Sequence, residues 1–345
     1  MPGSKPADAA WLRRWLADLC AADTTSGQED EGLPALAALL SDLGAKVELL
    51  PITPNRTNVL ATWGSASPRV LLTTHLDTVP PFLPPVWRGE ALWGRGTCDA
   101  KGQAVAQLAA IRSLVDAGRT GLAWLGVVGE ETDSCGAIAA LDLAKRLPGL
   151  RAVVDGEPTE LKLAAGQRGV VHARLVVEGV AAHSGTPELG RSATWPLLEW
   201  LARLRELPPA VDPALGPETW NLGLVRAGEA ANVVPARAQA DLLLRPVPGS
   251  RLLATARALA PEHATLEVLL DEPPDLFPPV PGFERAPVPF GSDAPRLRAL
   301  AQDRTVVLVG PGSIALAHSL EERLELPELE AGVALLARLT DTLLG

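Results

Sequence analysis

The chain has 345 residues, 47% of them hydrophobic, and a formal net charge of −10. This length exceeds one ordinary core, so two domains are expected. The acidic balance argues against nucleic-acid or anionic-membrane binding, and 3 cysteines without paired spacing argue against a disulfide framework. No apolar run approaches the roughly 20 residues of a membrane span. Charged residues also interrupt the N-terminal stretch, so we expect a soluble cytoplasmic protein.

The first part of the chain has the pattern of an α/β domain. Amphipathic helices are predicted at Ala10–Ala22 and Leu33–Leu43, the second ending before Gly44. The elements predicted next are strands Lys46–Pro51, Asn58–Trp63 and Val70–His75, helix Lys101–Ala117, and strands Leu122–Val128 and Ala152–Val154. Strands that alternate with helices predict a mostly parallel sheet flanked by helices. Functional residues of such sheets collect at the carboxyl ends of the strands.

The middle of the chain predicts a second domain, with the β-α-β-β-α-β order of an antiparallel ferredoxin-like fold. Its predicted elements are strand Val170–Glu178, helix Trp195–Glu206, strands Leu222–Arg226 and Ala238–Arg245, helix Arg251–Leu259 and strand Ala264–Leu270. The proline-rich stretch Glu272–Gly282 predicts a linker, after which strand Thr305–Val309 and helix Glu328–Leu344 resume the α/β pattern. We therefore predict a catalytic domain at 1–164 and 277–345, and an inserted lid or dimerisation domain at 165–276.

Five segments of the larger domain carry histidine or acidic residues where a predicted strand has ended. Those residues are His75 with Asp77, Asp99, Glu130 with Glu131, Asp155 with Glu157, and His318. So many carboxylates at one edge of a sheet would repel each other unless some were protonated or a cation were bound. Imidazole and carboxylate ligands suit Zn²⁺ or a similar divalent ion. Two ions bridged by one carboxylate use this set better than a single ion does.

The motif order resembles the M20 family of dinuclear metallopeptidases and deacylases. The order is HxD, a lone Asp in a glycine-rich turn, EE, GEPT and a late His, and the resemblance spans nearly the whole chain. It implies a zinc-exopeptidase-like α/β fold with an inserted domain. Within the family, four phrases look most like the acetylornithine deacetylases: LLRPVPG, NLGLVRAGEAAN, PPVPGFE and GPGSIALAH.

The resemblance implies a ligand set for two divalent ions, most simply Zn²⁺, with Co²⁺ as a substitute. Asp99 would bridge the ions. One ion would also have His75 and Glu157, and the other would have Glu131 and His318. The motif selects Glu157 over Asp155, although both carboxylates lie in the same segment.

Further roles implied by the resemblance concern proton transfer and the oxyanion. Asp77 would accept the second N–H of His75 and fix its tautomer. Glu130 would be the general base that takes a proton from the attacking water and passes it to the leaving amine. His183 would stabilise the oxyanion, often from the partner subunit of a homodimer formed through the inserted domain.

The remaining expectations concern the substrate. By resemblance, Asn232 and Arg245 would bind its α-carboxylate and Gly312 would offer a backbone contact, whereas the roles of Ser292 and Asp293 stay open. The expected reaction is hydrolysis of N²-acetylornithine to ornithine and acetate, a step of arginine biosynthesis. The alternatives are succinyl-diaminopimelate desuccinylation, carboxypeptidase or dipeptidase action, release of lysine or ornithine from a carrier protein, and a non-catalytic binding module.

Overall fold

The computed structural model describes residues 8–301 and 304–345. The chain divides into two compact units. The first comprises the chain up to Ala164 together with Phe277–Ala286 and Ser292–Gly345, and the second comprises Ala165–Leu276 and Pro287–Gly291. Within the described part, no helix is both long and apolar enough to cross a membrane.

The elements follow in chain order. The α-helices are α1 (Ala9–Cys20), α2 (Leu33–Asp42), α3 (Lys101–Asp116), α4 (Cys135–Ala140), α5 (Thr194–Arg205), α6 (Leu252–Ala258), α7 (Ala294–Leu297) and α8 (Leu326–Leu344). Short 3₁₀ helices lie at Glu29–Gly32, Leu141–Lys145, Pro187–Leu189 and Arg298–Ala301. The strands are β1 (Lys46–Thr53), β2 (Arg56–Thr62), β3 (Val70–His75), β4 (Val86–Arg88), β5 (Ala91–Trp93), β6 (Leu122–Val127), β7 (Ala152–Asp155), β8 (Leu163–Gln167), β9 (Val170–Glu178), β10 (Val211–Asp212), β11 (Gly216–Pro217), β12 (Thr219–Ala227), β13 (Arg237–Arg245), β14 (Ala264–Glu272), β15 (Asp275–Leu276), β16 (Arg285–Val288), β17 (Thr305–Leu308) and β18 (Arg323–Glu325).

The main sheet of the first unit has the order β1-β2-β6-β3-β7-β17. Strand β3 pairs in parallel with β6 and β7, and β7 pairs in parallel with β17. Strands β1 and β2 add an antiparallel edge. Every residue of β3 and β6 is buried, as expected for central strands covered on both faces. The mostly parallel α/β fold predicted from the sequence is confirmed.

The second unit has an antiparallel sheet in the order β14-β9-β13-β12. In chain order this is strand 4, then 1, 3 and 2, the ferredoxin-like arrangement. Helix α5 buries Leu197 and Trp200 in the same core as Leu175 and Leu242 of the sheet. The indole Nε1 of Trp200 donates to the carbonyl oxygen of Ala256 at 2.9 Å, which fastens α5 to α6.

The sequence analysis missed several short elements of the first unit. Strands β4, β5 and β18 form a small antiparallel sheet in the order β18-β5-β4, and α4 follows the EE motif. Each of those strands has 3 residues. A segment of that length carries too little alternation to be recognised from its pattern. The small sheet joins Ala91–Trp93, just before the Asp99 turn, to Arg323–Glu325, just after His318.

Candidate metal centre and active site

The order of strands in the main sheet brings the predicted motifs together. Strands β6, β3 and β7 are neighbours and run parallel, so their carboxyl ends meet at one edge of the sheet. His75 ends β3, Glu130 and Glu131 come shortly after β6, and Glu157 follows β7. Asp99 reaches this edge from the turn that precedes α3.

Five predicted ligands form two groups that share Asp99. The members are His75, Asp99 and Glu157 in one group, and Asp99, Glu131 and His318 in the other. In each group the ligand atoms lie within 4.8 Å of one another. The two oxygens of Asp99 face different imidazoles. Oδ1 is 2.9 Å from Nε2 of His75, and Oδ2 is 3.2 Å from Nε2 of His318.

The donor chemistry fits two divalent ions. Each group has one imidazole nitrogen and two carboxylates, the mixture that Zn²⁺ and related ions take. Nε2 of His75 is 3.9 Å from Oε1 of Glu157, and Nε2 of His318 is 2.9 Å from Oε1 of Glu131. His75, Asp99 and Glu157 are at most 5% exposed, whereas half of the His318 side chain is exposed. The second group is therefore the one open to solvent.

The pKa values of the ligands diverge because charge is crowded at this edge. Burial raises the pKa of Asp99, but hydrogen bonds and charge from His318 and His75 outweigh it and bring it well below its usual range. Burial and the charge on Asp99 raise the pKa of Glu157 well above 4.5. Hydrogen bonds to Asp99 and Glu131 raise the pKa of His318 to about 10. Bound cations would reverse the upward shifts of the carboxylates and favour neutral imidazoles.

Asp77 has a wider role than the sequence indicated. Nδ1 of His75 lies 2.9 Å from the backbone oxygen of Asp77 and 3.6 Å from its carboxylate Oδ1. The carboxylate instead accepts from the backbone N–H groups of Glu130 and Glu131, both at 3.1 Å, and from the hydroxyl of Ser26 at 2.8 Å. Asp77 therefore orients His75 mainly through its backbone, while its side chain holds the loop that carries the EE motif.

The predicted general base, Glu130, is half-buried beside the ligands. Burial raises its pKa well above 4.5; the charges of Asp293, Glu131 and Asp99 add to this shift, and the charge of His75 opposes it. A carboxylate with a raised pKa is a better proton acceptor.

Arg56, which the sequence analysis did not identify, clamps the same loop. Its Nη1 and Nη2 each donate to the carboxylate of Asp133 at 3.1 Å, and its Nε donates to Oε1 of Glu29 at 3.0 Å. Asp133 lies in the turn that begins at Gly129, whose φ of 78° is readily adopted only by glycine. A paired arginine and aspartate far apart in sequence leave no local pattern to detect.

Asp155 lies outside both ligand groups, although it is only two residues from Glu157. The residue is 3% exposed, and burial together with the charge of Asp293 raises its pKa to about 7. Ser292 hydrogen bonds to it. Burial likewise raises the pKa of Asp293 to about 6, and Nη1 of Arg296 is 3.5 Å from Oδ1 of Asp293. Ser292 and Asp293 thus belong to a buried acidic cluster with Asp155.

The second unit brings His183, predicted to stabilise the oxyanion, next to Asn232, predicted to bind the substrate. The backbone N–H of Ser184 donates to the carbonyl oxygen of Asn232 at 3.0 Å, and His183 bridges to Val233. His183 is exposed, and its Nδ1 accepts from the N–H of Gly185 at 3.0 Å. In the neutral imidazole the proton therefore lies on Nε2, which can donate.

Arg245 and Gly312 occupy different kinds of position. Arg245 ends β13 half-buried, and burial followed by the charge of Arg168 lowers its pKa. Across residues 8–301 and 304–345 no acidic side chain is paired with Arg245.

The N–H of Gly312 donates to Glu328 at 2.8 Å and its carbonyl oxygen accepts from the N–H of Glu160 at 2.9 Å. The backbone groups predicted to meet substrate at Gly312 are thus already paired within the fold.

Some known proteins are similar to this chain in sequence, and others in fold. Residues 71–342 match the model of peptidase family M20/M25/M40. A peptidase M20 domain-containing protein of Schizosaccharomyces pombe is 34% identical over 326 residues, which cover 90% of this chain and 79% of the relative. A protein of Aspergillus niger named "Probable carboxypeptidase" is 37% identical over 316 residues, which cover 81% of this chain and 76% of the relative.

Solved structures with this fold include aminopeptidase PepT from Bacillus cereus. It is 18% identical to this chain, with a TM-score of 0.80 over 97% of this chain and 99% of that structure. The M20 family metallo-carboxypeptidase Sso-CP2 from Sulfolobus solfataricus is 18% identical, with a TM-score of 0.72 over 96% of this chain and 99% of that structure. With the motif order and the paired ligand groups, the family match identifies the chain as a metal-dependent hydrolase that belongs to peptidase family M20/M25/M40.

Proposed function

We propose that the protein hydrolyses the amide bond between an acyl group and the amino group of an amino acid whose own carboxylate is free. Both a C-terminal residue of a short peptide and an N-acylated amino acid meet this description. The observation that carries the proposal is the pair of ligand groups sharing Asp99, with Glu130 beside them. Ions bound there would supply Lewis acidity that polarises the scissile carbonyl and lowers the pKa of water.

The side chains of this protein would manage the proton. Glu130 accepts a proton from the attacking water as the new C–O bond forms, and it gives that proton to the amine nitrogen as the C–N bond breaks. The products are a carboxylic acid and a free amino group, so atoms balance with water as the only co-substrate. His183, from the same chain or from a partner subunit as the family resemblance implies, donates Nε2–H to the developing oxyanion.

Recognition of the free carboxylate falls to Arg245 and Asn232 in this proposal. A guanidinium held half-buried without an acidic partner keeps its donors available for an anionic ligand. A substrate without that carboxylate would leave the guanidinium unpaired, so capping the carboxylate should reduce kcat/KM strongly.

Two substrate classes follow, and the relatives favour the first. Relatives named "Probable carboxypeptidase" that are 34–37% identical to this chain support release of a C-terminal amino acid from a short peptide. The second candidate is N²-acetylornithine, and the deacetylase-like phrases LLRPVPG and GPGSIALAH support it. In both reactions two Zn²⁺ ions, or Co²⁺ in their place, are the proposed cofactors.

The test is a substrate panel measured with the metal-loaded enzyme. Dipeptides and N-blocked dipeptides represent the first class, and acetylornithine, acetyl-lysine and succinyl-diaminopimelate represent deacylation. A C-terminal amide version of the best substrate measures the need for a free carboxylate. No turnover of any member would refute the proposed function, and equal turnover of acid and amide would refute the role of Arg245.

Variants separate chemistry from metal binding. We expect Glu130→Ala to keep both ions and to lose about 10²–10⁴-fold in kcat, the usual contribution of a general base. Glu262→Gln, whose side chain is 88% exposed, is the matched control and should behave as the wild type. Normal turnover of metal-loaded Glu130→Ala would remove Glu130 as the base.

A further inference from the structure

A fully buried ion pair lies beside the metal centre and has no part in the mechanism above. Nη1 of Arg95 and Oε2 of Glu322 are 2.5 Å apart, and each residue is 1% exposed. A buried pair of this kind often contributes little net stability, because removing both charges from water is costly. Its position therefore calls for an explanation other than stability.

Glu322 holds the backbone at Asp99. Its second oxygen, Oε1, accepts from the N–H of Cys98 at 3.2 Å and from the N–H of Asp99 at 3.3 Å. The shared buried acceptor restrains both of these consecutive peptide groups. The orientation of the Asp99 carboxylate, which faces both histidines, depends on this part of the backbone.

Arg95 holds the segment next to His318. Its Nη1 donates to the carbonyl oxygen of Ser319 at 3.2 Å, and its Nε donates to the carbonyl oxygen of Pro81 at 3.3 Å. His318 needs such support because it is half-exposed and has a φ of 61°, which non-glycine residues seldom adopt. The guanidinium thus fixes a peptide group one residue from this ligand.

We infer that Arg95 and Glu322 are a positioning pair that sets the placement of Asp99 relative to His318, and so preforms the ion site of Asp99, Glu131 and His318. The inference rests on the metal centre of the proposed function. Glu322 acts on Asp99, and Arg95 acts on the segment of His318; their ion pair joins the two. The site of His75, Asp99 and Glu157 has only one ligand attached to the pair, so it depends less on it.

The decisive variant replaces both charges with apolar side chains of similar size, Arg95→Met with Glu322→Leu. The exchange removes both charges together, but it leaves the N–H groups of Cys98 and Asp99 without their acceptor, so a lower thermal midpoint is expected in a protein that still folds. Zn²⁺ is titrated into the chelator-treated full-length protein in competition with a chromophoric chelator. We expect the affinity for one of the two ions to fall about 10–100-fold, the usual effect of losing a group that orients a ligand, while the other ion stays bound more tightly.

Two further proteins keep the test decisive if the double variant is unstable. Glu322→Gln retains an amide oxygen for the two N–H groups but loses the charge opposite Arg95, so it should show a smaller loss of affinity for the same ion. Asp241→Asn breaks a matched arginine–carboxylate pair in the second unit, 2.6 Å from Arg174, and should bind both ions as the wild type does.

The outcomes separate this inference from the function it rests on. Wild-type affinity for both ions in the double variant and in Glu322→Gln would overturn the positioning role. An equal loss for both ions would also overturn it, because a merely structural pair would weaken the whole centre. If the wild type itself binds no Zn²⁺, the proposed metal centre fails, and the role of the pair fails with it.

Discussion

The side chain of Asp77 offers a direct test of how the site is held in place. Asp77→Asn keeps the shape of the side chain but replaces one acceptor oxygen with an NH₂ donor. The wild-type carboxylate receives three hydrogen bonds, from the N–H groups of Glu130 and Glu131 and from the hydroxyl of Ser26. The asparagine oxygen can keep the bonds on one side only. The NH₂ group then faces the backbone N–H of Glu130 or of Glu131, and that N–H has no acceptor.

The magnitude follows from the burial of these groups. Asp77 is 0% exposed, and burial raises its pKa, but the neighbouring imidazole of His75, the hydroxyl of Ser26 and the N–H of Glu131 together outweigh burial and lower it. The side chain is thus ionised at neutral pH, and its bonds are charge-assisted. A buried donor left without an acceptor costs about 1–3 kcal/mol. Because the loop also positions Glu130 and Glu131, a small displacement should lower kcat by about 10–100-fold.

The assay combines unfolding with kinetics. The urea midpoint, read by tryptophan fluorescence, and kcat on the best substrate are measured for the wild type, Asp77→Asn and Ser26→Ala. The serine variant removes one accepted bond without stranding a backbone donor, so it should lose less than the asparagine variant in both measurements. A wild-type midpoint together with kcat within twofold in Asp77→Asn would refute the reasoning.

Three further outcomes are expected. Arg56→Met removes the clamp on Asp133, so kcat should fall about tenfold or more with both ions still bound; unchanged kcat would show that the loop holds itself. Burial raises the pKa of Cys20 to about 12 and that of Cys135 to about 11. Iodoacetamide at pH 8 should therefore label these thiols slowly in the native protein and fully after denaturation. Rapid labelling of Cys20 in the native protein would contradict its burial. Trp200→Phe strands a buried carbonyl oxygen and should lower the urea midpoint by the equivalent of about 1–3 kcal/mol, with metal content unchanged; an unchanged midpoint would contradict this.

The residues that form the two candidate ligand groups could be predicted from the sequence because the relevant information is local. Val70–His75 was predicted with the bounds that the structure shows, since a fully apolar run that ends in HxD reads as a buried strand with polar residues at its carboxyl end. Parallel pairing then places the ends of such strands at one edge, whatever their separation in the chain. The family resemblance added the choice of Glu157 over Asp155, which strand periodicity alone left open.

The supporting residues could not be located, because their partners are set by tertiary structure. Arg56 binds a carboxylate 77 positions along the chain, and Glu322 binds amides 223 and 224 positions away. No periodicity or local spacing records such pairs. Strands of 3 residues, such as β5 and β18, can be recognised only by their pairing with each other, which is set by tertiary structure. That pairing brings Glu322 to the turn that contains Asp99.

The candidate ligands are brought together by the sheet, whereas the supporting residues set the exact positions of the loops that carry those ligands. The sheet fixes which side chains meet, but a strand end leaves a loop enough freedom to displace a ligand by an ångström or more. Asp77 and Glu322 remove that freedom in the same way, each with a buried carboxylate that accepts two consecutive backbone N–H groups in a ligand-bearing segment. Arg56 and Arg95 then connect those segments to distant parts of the first unit. Replacing the two carboxylates with apolar side chains should therefore lower stability, because backbone donors lose their acceptors, and should also weaken ion binding and turnover, because the segments that carry the candidate ligands can shift.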